Sequence, residues 1–163
     1  MTKSEPRSQA KVPKADPADV ESIDAIITAA YESISGPAGE KRNWDRERSL
    51  YYPGARLIPT GSPSEPHALA PNILDVDGFI ARVEPYFAER GFYEKEIARR
   101  TEQFGRIAHV WSTYESRHDP NDPNPFMRGI NSIQLFHDSN RWWIVSIYWQ
   151  QEGPEHPVPE KYL

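Results

Sequence analysis

Three consecutive strand-like segments occupy the last third of the chain, at residues 107–116, 126–136 and 142–150. They are rich in β-branched and aromatic residues, which pack well on a pleated surface. The last two are separated by a short polar segment, 137–141, whose length is typical of a β-hairpin connection. The segments predict a meandering sheet, and the residues before them are expected to cover one of its faces.

An amphipathic helix is predicted near the start of the chain. Asp16 offers a side-chain acceptor for free backbone N–H groups, and Pro17 is pre-organised for a first helical turn. Gly36 and Pro37 are typical residues for the end of such a helix. Between these ends, apolar residues recur at helical spacing and predict one buried stripe: Val20, Ile23, Ile27, Ala30, Tyr31 and Ile34.

A second helix is predicted after a long loop. The loop, residues 60–72, is rich in Pro, Gly and Ser, and its length is typical of a lid or a binding loop. Asp75 or Asp77 is suited to cap the helix that follows, and Gly91 is suited to close it. Pro85 lies inside the helical pattern and is expected to kink it.

The remaining segments are shorter. Residues 40–52 predict a short helix over the core, Pro53-Gly54 a turn, and residues 55–59 a short strand. Residues 92–103 fit either an exposed helix or an edge strand, and the turn-forming residues after them favour the strand. Helices first and antiparallel strands later are typical of an α+β fold.

The chain length is that of one domain, with a tail at each end. Residues 1–16 are polar and contain two prolines, so we expect a flexible tail. Residues 153–163 contain three prolines and are expected to be irregular. The folded domain is therefore predicted over residues 17–152.

Charge and composition argue against several classes of protein. The net charge of -5 disfavours a nucleic-acid-binding surface, which is normally basic. No apolar run approaches the roughly 20 residues of a membrane span, and the N-terminus lacks the apolar region of a secretory signal. The absence of Cys removes disulfides, thiolate metal sites and Cys nucleophiles. A cytoplasmic protein with no nucleic-acid or membrane partner is expected.

Short motifs recur in a fixed order between about residues 18 and 152. They are Ala30-Tyr31, Leu50-x-x-Pro53-Gly54-Ala55-Arg56-Leu57, Ala108-x-Val110-x-Ser112-x-Tyr114, and Arg141-Trp142-Trp143-Ile144 followed by Tyr148-Trp149. In order and spacing they resemble the nuclear transport factor 2-like, or SnoaL-like, superfamily, as a bacterial-type member. The resemblance implies a cone-shaped, cystatin-like α+β fold, with N-terminal helices packed on a curved, mostly antiparallel sheet around a pocket.

The resemblance, with the alternation of strand side chains, also implies which residues face the pocket. The inward set is Tyr31, Val110, Ser112, Tyr114, Arg128, Ile130, Ser132, Gln134, Phe136, Val145, Ile147 and Trp149. The outward set is His109, Trp111, Trp142, Ile144 and Tyr148. This outer face is too apolar to remain in water. Because members of the superfamily often dimerise through it, a homodimer is expected.

Six of the inward residues are candidate ligand contacts: Tyr31, Tyr114, Arg128, Ser132, Gln134 and Trp149. Arg128 would clamp an anionic or carbonyl group. The alternative interpretation is that Arg128 pairs with Glu94 or Glu96 for purely structural reasons. The tyrosines fit pocket donors and ordinary core tyrosines equally well.

No catalytic group is identified. Tyr31 matches the hydrogen-bond donor of the steroid isomerase branch, but Ile58-Pro59 stands where that branch has its base, and Ser132 where it has a second carboxylate. A donor without a base cannot abstract a proton. The carboxylates of the epoxide hydrolase branch are also missing, and His109 and His137 are expected outside the pocket. No His spacing indicates a metal, and no cofactor is expected.

Three functions remain, because this fold does not determine function. The first is a domain that binds a small apolar or aromatic ligand without established catalysis. The second is an enzyme of the dehydratase, isomerase or cyclase kind acting on a carbonyl substrate. The third is a dimeric interaction module. A pocket carboxylate or His with a shifted pKa would favour the enzyme.

Overall fold

The structure, a computed structural model, describes residues 11–61 and 70–163. Its first feature is a pair of helices, α1 (Pro17–Val20) and α2 (Ile23–Ile34), where one continuous helix was predicted. Asp16 caps α1 as expected, accepting from the Ala18 N–H at 3.0 Å. The Ser22 side chain accepts from the Ala25 N–H at 3.0 Å, and this second cap begins a new helix.

A short helix, α3 (Trp44–Ser49), leads directly into the first strand, β1 (Tyr51–Pro59). The prediction of a turn at Pro53-Gly54 is wrong, because both residues lie within β1. Gly54 has a φ of +89°, and the pairing of β1 shifts between Tyr51 and Arg56. The turn-forming residues therefore produce an irregularity inside a longer strand, where glycine tolerates the positive φ.

The second long helix is α4 (Val76–Glu89). Asp75 is its cap and accepts from the Gly78 N–H at 2.7 Å. The helix continues through Pro85 to its last residue, Glu89, and Arg90 is its C-cap. Its buried face carries Phe79, Ile80 and Phe87, the stripe expected from helical spacing.

Four strands complete the sheet: β2 (Tyr93–Phe104), β3 (Ile107–Arg117), β4 (Met127–His137) and β5 (Trp142–Gln151). The order across the sheet is β1-β5-β4-β3-β2, so the prediction of an edge strand over residues 92–103 is confirmed. β1 pairs with β5 in parallel, and the other neighbours pair antiparallel. The sheet is mostly antiparallel and the helices precede most of its strands, as the α+β prediction required.

Helices close one face of the sheet, hereafter the inner face. α2 contacts β2 and β5, and α4 contacts β1. Most buried apolar side chains of the described residues form one cluster between helices and sheet, including Ile26, Leu57, Val110, Ile133 and Ile144. The opposite surface of the sheet is called the outer face.

The C-terminal segment is more ordered than predicted. It contains a 3-10 helix, Glu160–Tyr162, and Val158 before it is buried. The Thr113 hydroxyl donates to the Tyr162 carbonyl at 2.7 Å, and the Tyr162 ring lies 5.8 Å from the ring of Trp111. Because Trp111 and Thr113 lie on β3, this segment covers the outer face of the β2–β3 half of the sheet.

Two sequence predictions fall on parts of the chain that are only partly described. Residues 1–10 of the expected tail and residues 62–69 of the expected lid lie outside the described residues. In the described part of the second loop, the Thr60 hydroxyl donates to the Trp149 carbonyl at 2.9 Å. Within residues 11–61 and 70–163, no helix is long and apolar enough to cross a membrane.

Candidate functional site

A cavity of about 810 Å³ lies between the inner face of the sheet and the helices. α2 contributes Ala30 and Tyr31 to its lining, and α4 contributes Phe79 and Val83. Further aromatic side chains complete the wall: Tyr86, Phe87, Phe92, Phe126 and Trp149. The volume and the apolar lining are typical of small-molecule sites.

Strands β3 and β5 present several of the predicted residues to this cavity. Tyr114 of β3, and Ile147 and Trp149 of β5, line it. Val110 and Ser112 are fully buried on the same face of β3. The expected inward placement of these residues is confirmed, because alternation along each strand is regular in these stretches.

The predicted register of β4 is wrong by one residue. Met127, Asn131 and Ile133 face the cavity, so the even-numbered residues from Arg128 to Phe136 point to the outer face. The prediction that Arg128, Ile130, Ser132, Gln134 and Phe136 point inward is therefore wrong. A one-residue slip moves every side chain of a strand to the opposite face.

The contacts of the displaced β4 residues are structural. Arg128 pairs with Glu152, with Nε 3.0 Å from Oε1 and Nη2 3.1 Å from Oε2. Neither Glu94 nor Glu96, the partners considered from the sequence, forms this pair. Ser132 is hydrogen bonded to His109 at 3.0 Å, and Gln134 is exposed. On this geometry none of the three candidate contacts from β4 reaches the cavity.

One extra residue in β5 explains why the predicted faces of Trp142, Ile144 and Val145 are wrong. Leu135 pairs with Ile144 and Gln134 with Ser146, which leaves Val145 as an unpaired bulge residue that is 40% exposed. Before the bulge, Trp142 and Ile144 are buried among core residues, so their predicted outward placement is wrong, as is the inward placement of Val145. Tyr148, which follows the bulge, is exposed as predicted.

Tyr31 reaches the cavity, but its hydroxyl group is fully engaged. It lies 2.7 Å from Ser112 Oγ and accepts from Asn131 Nδ2 at 3.0 Å. Ser112 donates its own proton to Glu96, so the Tyr31 hydroxyl is the donor to Ser112. Burial raises the pKa of Tyr31, with Glu94 adding to the shift. The chain Tyr31–Ser112–Glu96 holds the phenol in place and leaves it no proton for a ligand.

Glu94, at the start of β2, brings into the cavity a carboxyl group that is not among the predicted ligand contacts. It lines the cavity, and Ser116 Oγ donates to its Oε2 at 2.8 Å. Burial raises the pKa of Glu94 to about 7, and the bond from Ser116 opposes that shift only in part. A carboxyl group of this kind is part ionised and part protonated at neutral pH.

Glu47, on α3, is a second carboxyl group in the lining and is fully buried, whereas Glu94 is half-buried. Tyr51 donates to its Oε1 at 2.9 Å, and Ser33 donates to its Oε2. Burial raises the pKa of Glu47 to about 7 despite these two donors. Both of its oxygens are thus occupied by hydroxyl groups of the protein, whereas Glu94 keeps one oxygen without a partner among the described residues.

The sequence pattern around Glu94 and Glu47 indicates that both carboxyl groups lie on an apolar face. Glu94 follows Phe92 by two residues, so the edge-strand interpretation of this segment places the two side chains on one face. Glu47 lies between Trp44 and Tyr51 at spacings of three and four, which places it on the apolar stripe of α3. An acidic residue on an apolar face is the pattern that marks both positions.

Three histidines of the described residues, His109, His118 and His137, lie outside the cavity lining. His109 contacts Ser132 on the outer face, and His118 Nδ1 lies 2.9 Å from the Gly91 carbonyl oxygen. His137 contacts the Trp142 ring at the far end of β4. In residues 11–61 and 70–163, no group of three or more His, Asp or Glu side chains has the arrangement of a metal site.

Known proteins match the chain only at the level of structure. No protein-family model matches the sequence, and no curated protein matches it. An NTF2-like protein of unknown function from Shewanella baltica OS155 is 12% identical with a TM-score of 0.55, over 80% of this chain and 91% of that one. One from Silicibacter pomeroyi DSS-3 is 17% identical with a TM-score of 0.54, over 80% and 92%.

A third solved structure agrees with these two. It is an NTF2-like protein of unknown function from Methylobacillus flagellatus KT, 14% identical with a TM-score of 0.51, over 81% of this chain and 95% of that chain. The chain therefore has the nuclear transport factor 2-like fold that its short motifs predicted. At such identities the likeness identifies the fold alone, and the function has to be argued from the cavity.

Proposed function

We propose that the protein binds a small apolar or aromatic ligand with one polar end inside the cavity. The observation that carries this proposal is a largely apolar cavity of about 810 Å³ in which three polar side chains, Glu94, Tyr114 and Asn131, lie on neighbouring strands. Tyr114, Asn131 and Glu94 would meet the polar end, and Trp149 the apolar body. Arg128, Ser132 and Gln134 have no part in this site, since they point to the outer face.

A neutral aromatic alcohol, naphthylethanol, tests this proposal by isothermal titration calorimetry. We expect saturable binding to the wild type and its loss in Ala30→Phe, which fills the cavity from α2. Val145→Phe is the matched control, because it adds the same ring at an exposed bulge. Absence of binding to the wild type, or equal binding to both variants, would contradict the proposal.

A second candidate function is acid–base catalysis on a carbonyl substrate. The observation in its favour is Glu94, whose pKa near 7 suits a general base at neutral pH. Its carboxylate would take a proton from the carbon next to the carbonyl, and the electron pair would move onto the carbonyl oxygen to give an enolate. The Tyr114 hydroxyl, two residues along β3 from Ser116, would donate to that oxygen.

The catalytic candidate is tested by following deuterium exchange at the α-carbon of tetralone by NMR. We expect exchange above the buffer rate with the wild type, and a loss of about 100-fold or more of that excess in Glu94→Gln. Glu102→Gln, on the exposed end of the same strand, should retain it. If the wild type gives no exchange above buffer, proton abstraction from this class of carbonyl compound is excluded.

The outer face supports a third proposal, a homodimer. Tyr52 packs edge-on against Phe136 and Trp143, and Tyr148, further along β5 on the same face, is 47% exposed. This aromatic surface lies on β1, β5 and β4, the half of the outer face that the C-terminal segment does not cover. An exposed aromatic patch of this kind is typical of an interaction surface.

Sedimentation equilibrium tests the homodimer. We expect a dimer for the wild type and a monomer for Tyr148→Glu, which places a charge in the aromatic surface. Glu89→Lys, at the exposed end of α4, is the control and should remain dimeric. A monomeric wild type would remove this proposal without affecting those for the cavity.

A further inference from the structure

Two oxygen acceptors of the cavity lining have no partner among the described residues, alongside the Gln151 amide group, which can donate as well as accept. Glu94 uses Oε2 to accept from Ser116, and its Oε1 has no partner among the described residues. Asn131 donates through Nδ2 to Tyr31, while its carbonyl oxygen has no partner in the same part of the chain. A ligand that fits these atoms must bring hydrogen-bond donors.

The Tyr114 hydroxyl is a third group without a partner, although only 2% of this residue is exposed. Tyr114 lines the cavity, and residues 11–61 and 70–163 supply no hydrogen bond to its hydroxyl. Among the described residues, Trp111 Nε1 is the side-chain polar atom that is fully buried without a partner, so the Tyr114 hydroxyl oxygen is open to the cavity. The hydroxyl can accept from a donor on a ligand.

These three groups are neighbours on the inner face. Glu94 pairs with Ser116 across β2 and β3, and Tyr114 is the next inward residue of β3. Tyr114 in turn pairs with Gly129 of β4, from which Asn131 is the next inward residue. The three groups therefore form one polar corner of the cavity, in which Tyr114 lies between Glu94 and Asn131.

Glu94 also has no cationic partner among the described residues. Its one hydrogen bond comes from a neutral hydroxyl group, and no basic side chain forms an ion pair with it. The arginines of the lining, Arg82 and Arg90, are exposed on and after α4, and Arg90 stacks over the Tyr86 ring at 5.4 Å. An ionised carboxylate in an apolar setting is stabilised by a cation that pairs with it.

Aromatic rings adjoin the same corner. Phe92 precedes Glu94 by two residues, and its ring centroid lies 5.0 Å from that of Phe87 and 6.2 Å from that of Phe126. Ring faces carry negative potential and attract ammonium groups, most strongly where water is excluded. The carboxylate and the rings thus favour the same kind of charge.

From these contacts we propose that the natural ligand is an amine, with its protonated nitrogen at Glu94 and an apolar or aromatic body among the rings. The inference rests on the proposed ligand-binding function and adds the chemical class. A primary ammonium group has three donors and no acceptor, which matches an unpaired carboxylate oxygen, an amide oxygen and a phenol oxygen. A carboxylate ligand would instead meet like charge in this corner.

The test compares three ligands that share one ring system: naphthylethylamine, naphthylethanol and naphthylacetate. Each is titrated calorimetrically into the full chain at pH 8, where Glu94 is ionised. We expect the amine to bind at least about tenfold more tightly than the alcohol, as suits a charge-assisted hydrogen bond. The acetate should bind more weakly than the alcohol.

Substitutions of Glu94 test whether this residue causes the preference for the amine over the alcohol. Glu94→Gln should bind the amine and the alcohol equally, whereas Glu102→Gln, exposed on the same strand, should keep the wild-type preference. Glu94→Asp retains the charge and should retain a reduced preference, which keeps the test valid if the Gln variant does not fold.

The possible outcomes test the amine inference separately from the ligand-binding function on which it rests. If the wild type binds the alcohol as tightly as the amine, or if Glu94→Gln keeps the preference, the amine inference is overturned and the ligand-binding function stands. If the wild type binds none of the three ligands, both fail together.

Discussion

Gly129 and Tyr114 face each other across β4 and β3, and a Cβ on Gly129 would lie 2.6 Å from the Tyr114 hydroxyl oxygen. The same Cβ would lie 2.4 Å from the backbone carbonyl oxygen of Gln150. The absence of a side chain at residue 129 is therefore what admits the Tyr114 ring beneath the sheet, and with it one of the three polar groups of the cavity corner.

Gly129→Ala should lower the free energy of unfolding by about 1–3 kcal/mol, because the added methyl group overpacks a site bounded by backbone. Urea denaturation followed by circular dichroism measures the change. Gln134→Ala, exposed on the same strand, serves as the control and is expected to change stability by less than about 0.5 kcal/mol. Equal stability of both variants would show that the strands can separate to admit the methyl group.

Stability should fall as pH rises from about 4.5 to about 7. The folded state raises the pKa of Glu94 and of Glu47 to about 7, from the ordinary value of 4.5, through burial. In this window the folded state binds more protons than the unfolded chain, so each group removes up to about 1.4 kcal/mol of stability per pH unit. Thermal or urea unfolding at a series of pH values measures the slope.

Glu94→Gln and Glu47→Gln should each flatten that slope, because glutamine carries no titrating proton. The matched control Glu102→Gln should leave it unchanged. A wild type whose stability rises steadily from pH 4.5 to pH 7 would contradict the raised pKa values.

Tyr31→Phe should destabilise the protein by about 1–3 kcal/mol. The substitution leaves Asn131 Nδ2 without its acceptor and removes the donor to Ser112, and unpaired buried polar groups cost this much. Urea denaturation measures the loss, with Tyr148→Phe as the control, since that hydroxyl belongs to an exposed ring. Unchanged stability in Tyr31→Phe would mean that water replaces the phenol oxygen.

Tyr162→Ala should lower the free energy of unfolding by about 1 kcal/mol, because its ring packs on Trp111 on the outer face. The same change should shift tryptophan fluorescence to longer wavelength as the indole meets water. Leu163→Ala is the matched control, since Leu163 is 52% exposed at the adjacent position. If both variants have the stability and the fluorescence of the wild type, the C-terminal segment does not pack on this face in solution.

The parts of the fold that the sequence predicted well have a single strong periodicity. The buried stripe of α4 and the alternation of β3, from Val110 to Tyr114, are examples of this. The register of β4 was not predictable in the same way, because both of its faces mix polar and apolar residues. Ile130 lies on the outer face, whereas Ile133 and Leu135 lie on the inner one. Alternation alone does not choose between two such faces.

The candidate site was predicted in part. Tyr31, Tyr114 and Trp149 lie where they were expected, since each follows a regular element. Glu94 and Glu47 were missed, because a charged residue is expected in water unless its whole element has been placed. The bulge at Val145 and the helix start at Ser22 depend on local pairing and capping, which the apolar pattern does not encode.

The bulge at Val145 makes the pairing of β5 a determinant of what the cavity can bind. If Val145 paired with β4 as a regular strand residue, the pairing before it could be kept only by reversing the faces of the residues after it. Tyr148 would then point inward in place of Trp149, and a phenol would replace an indole in the wall. The gain or loss of one bulge can thus alter ligand preference within this fold in a single step, while the strands and the helices remain in place.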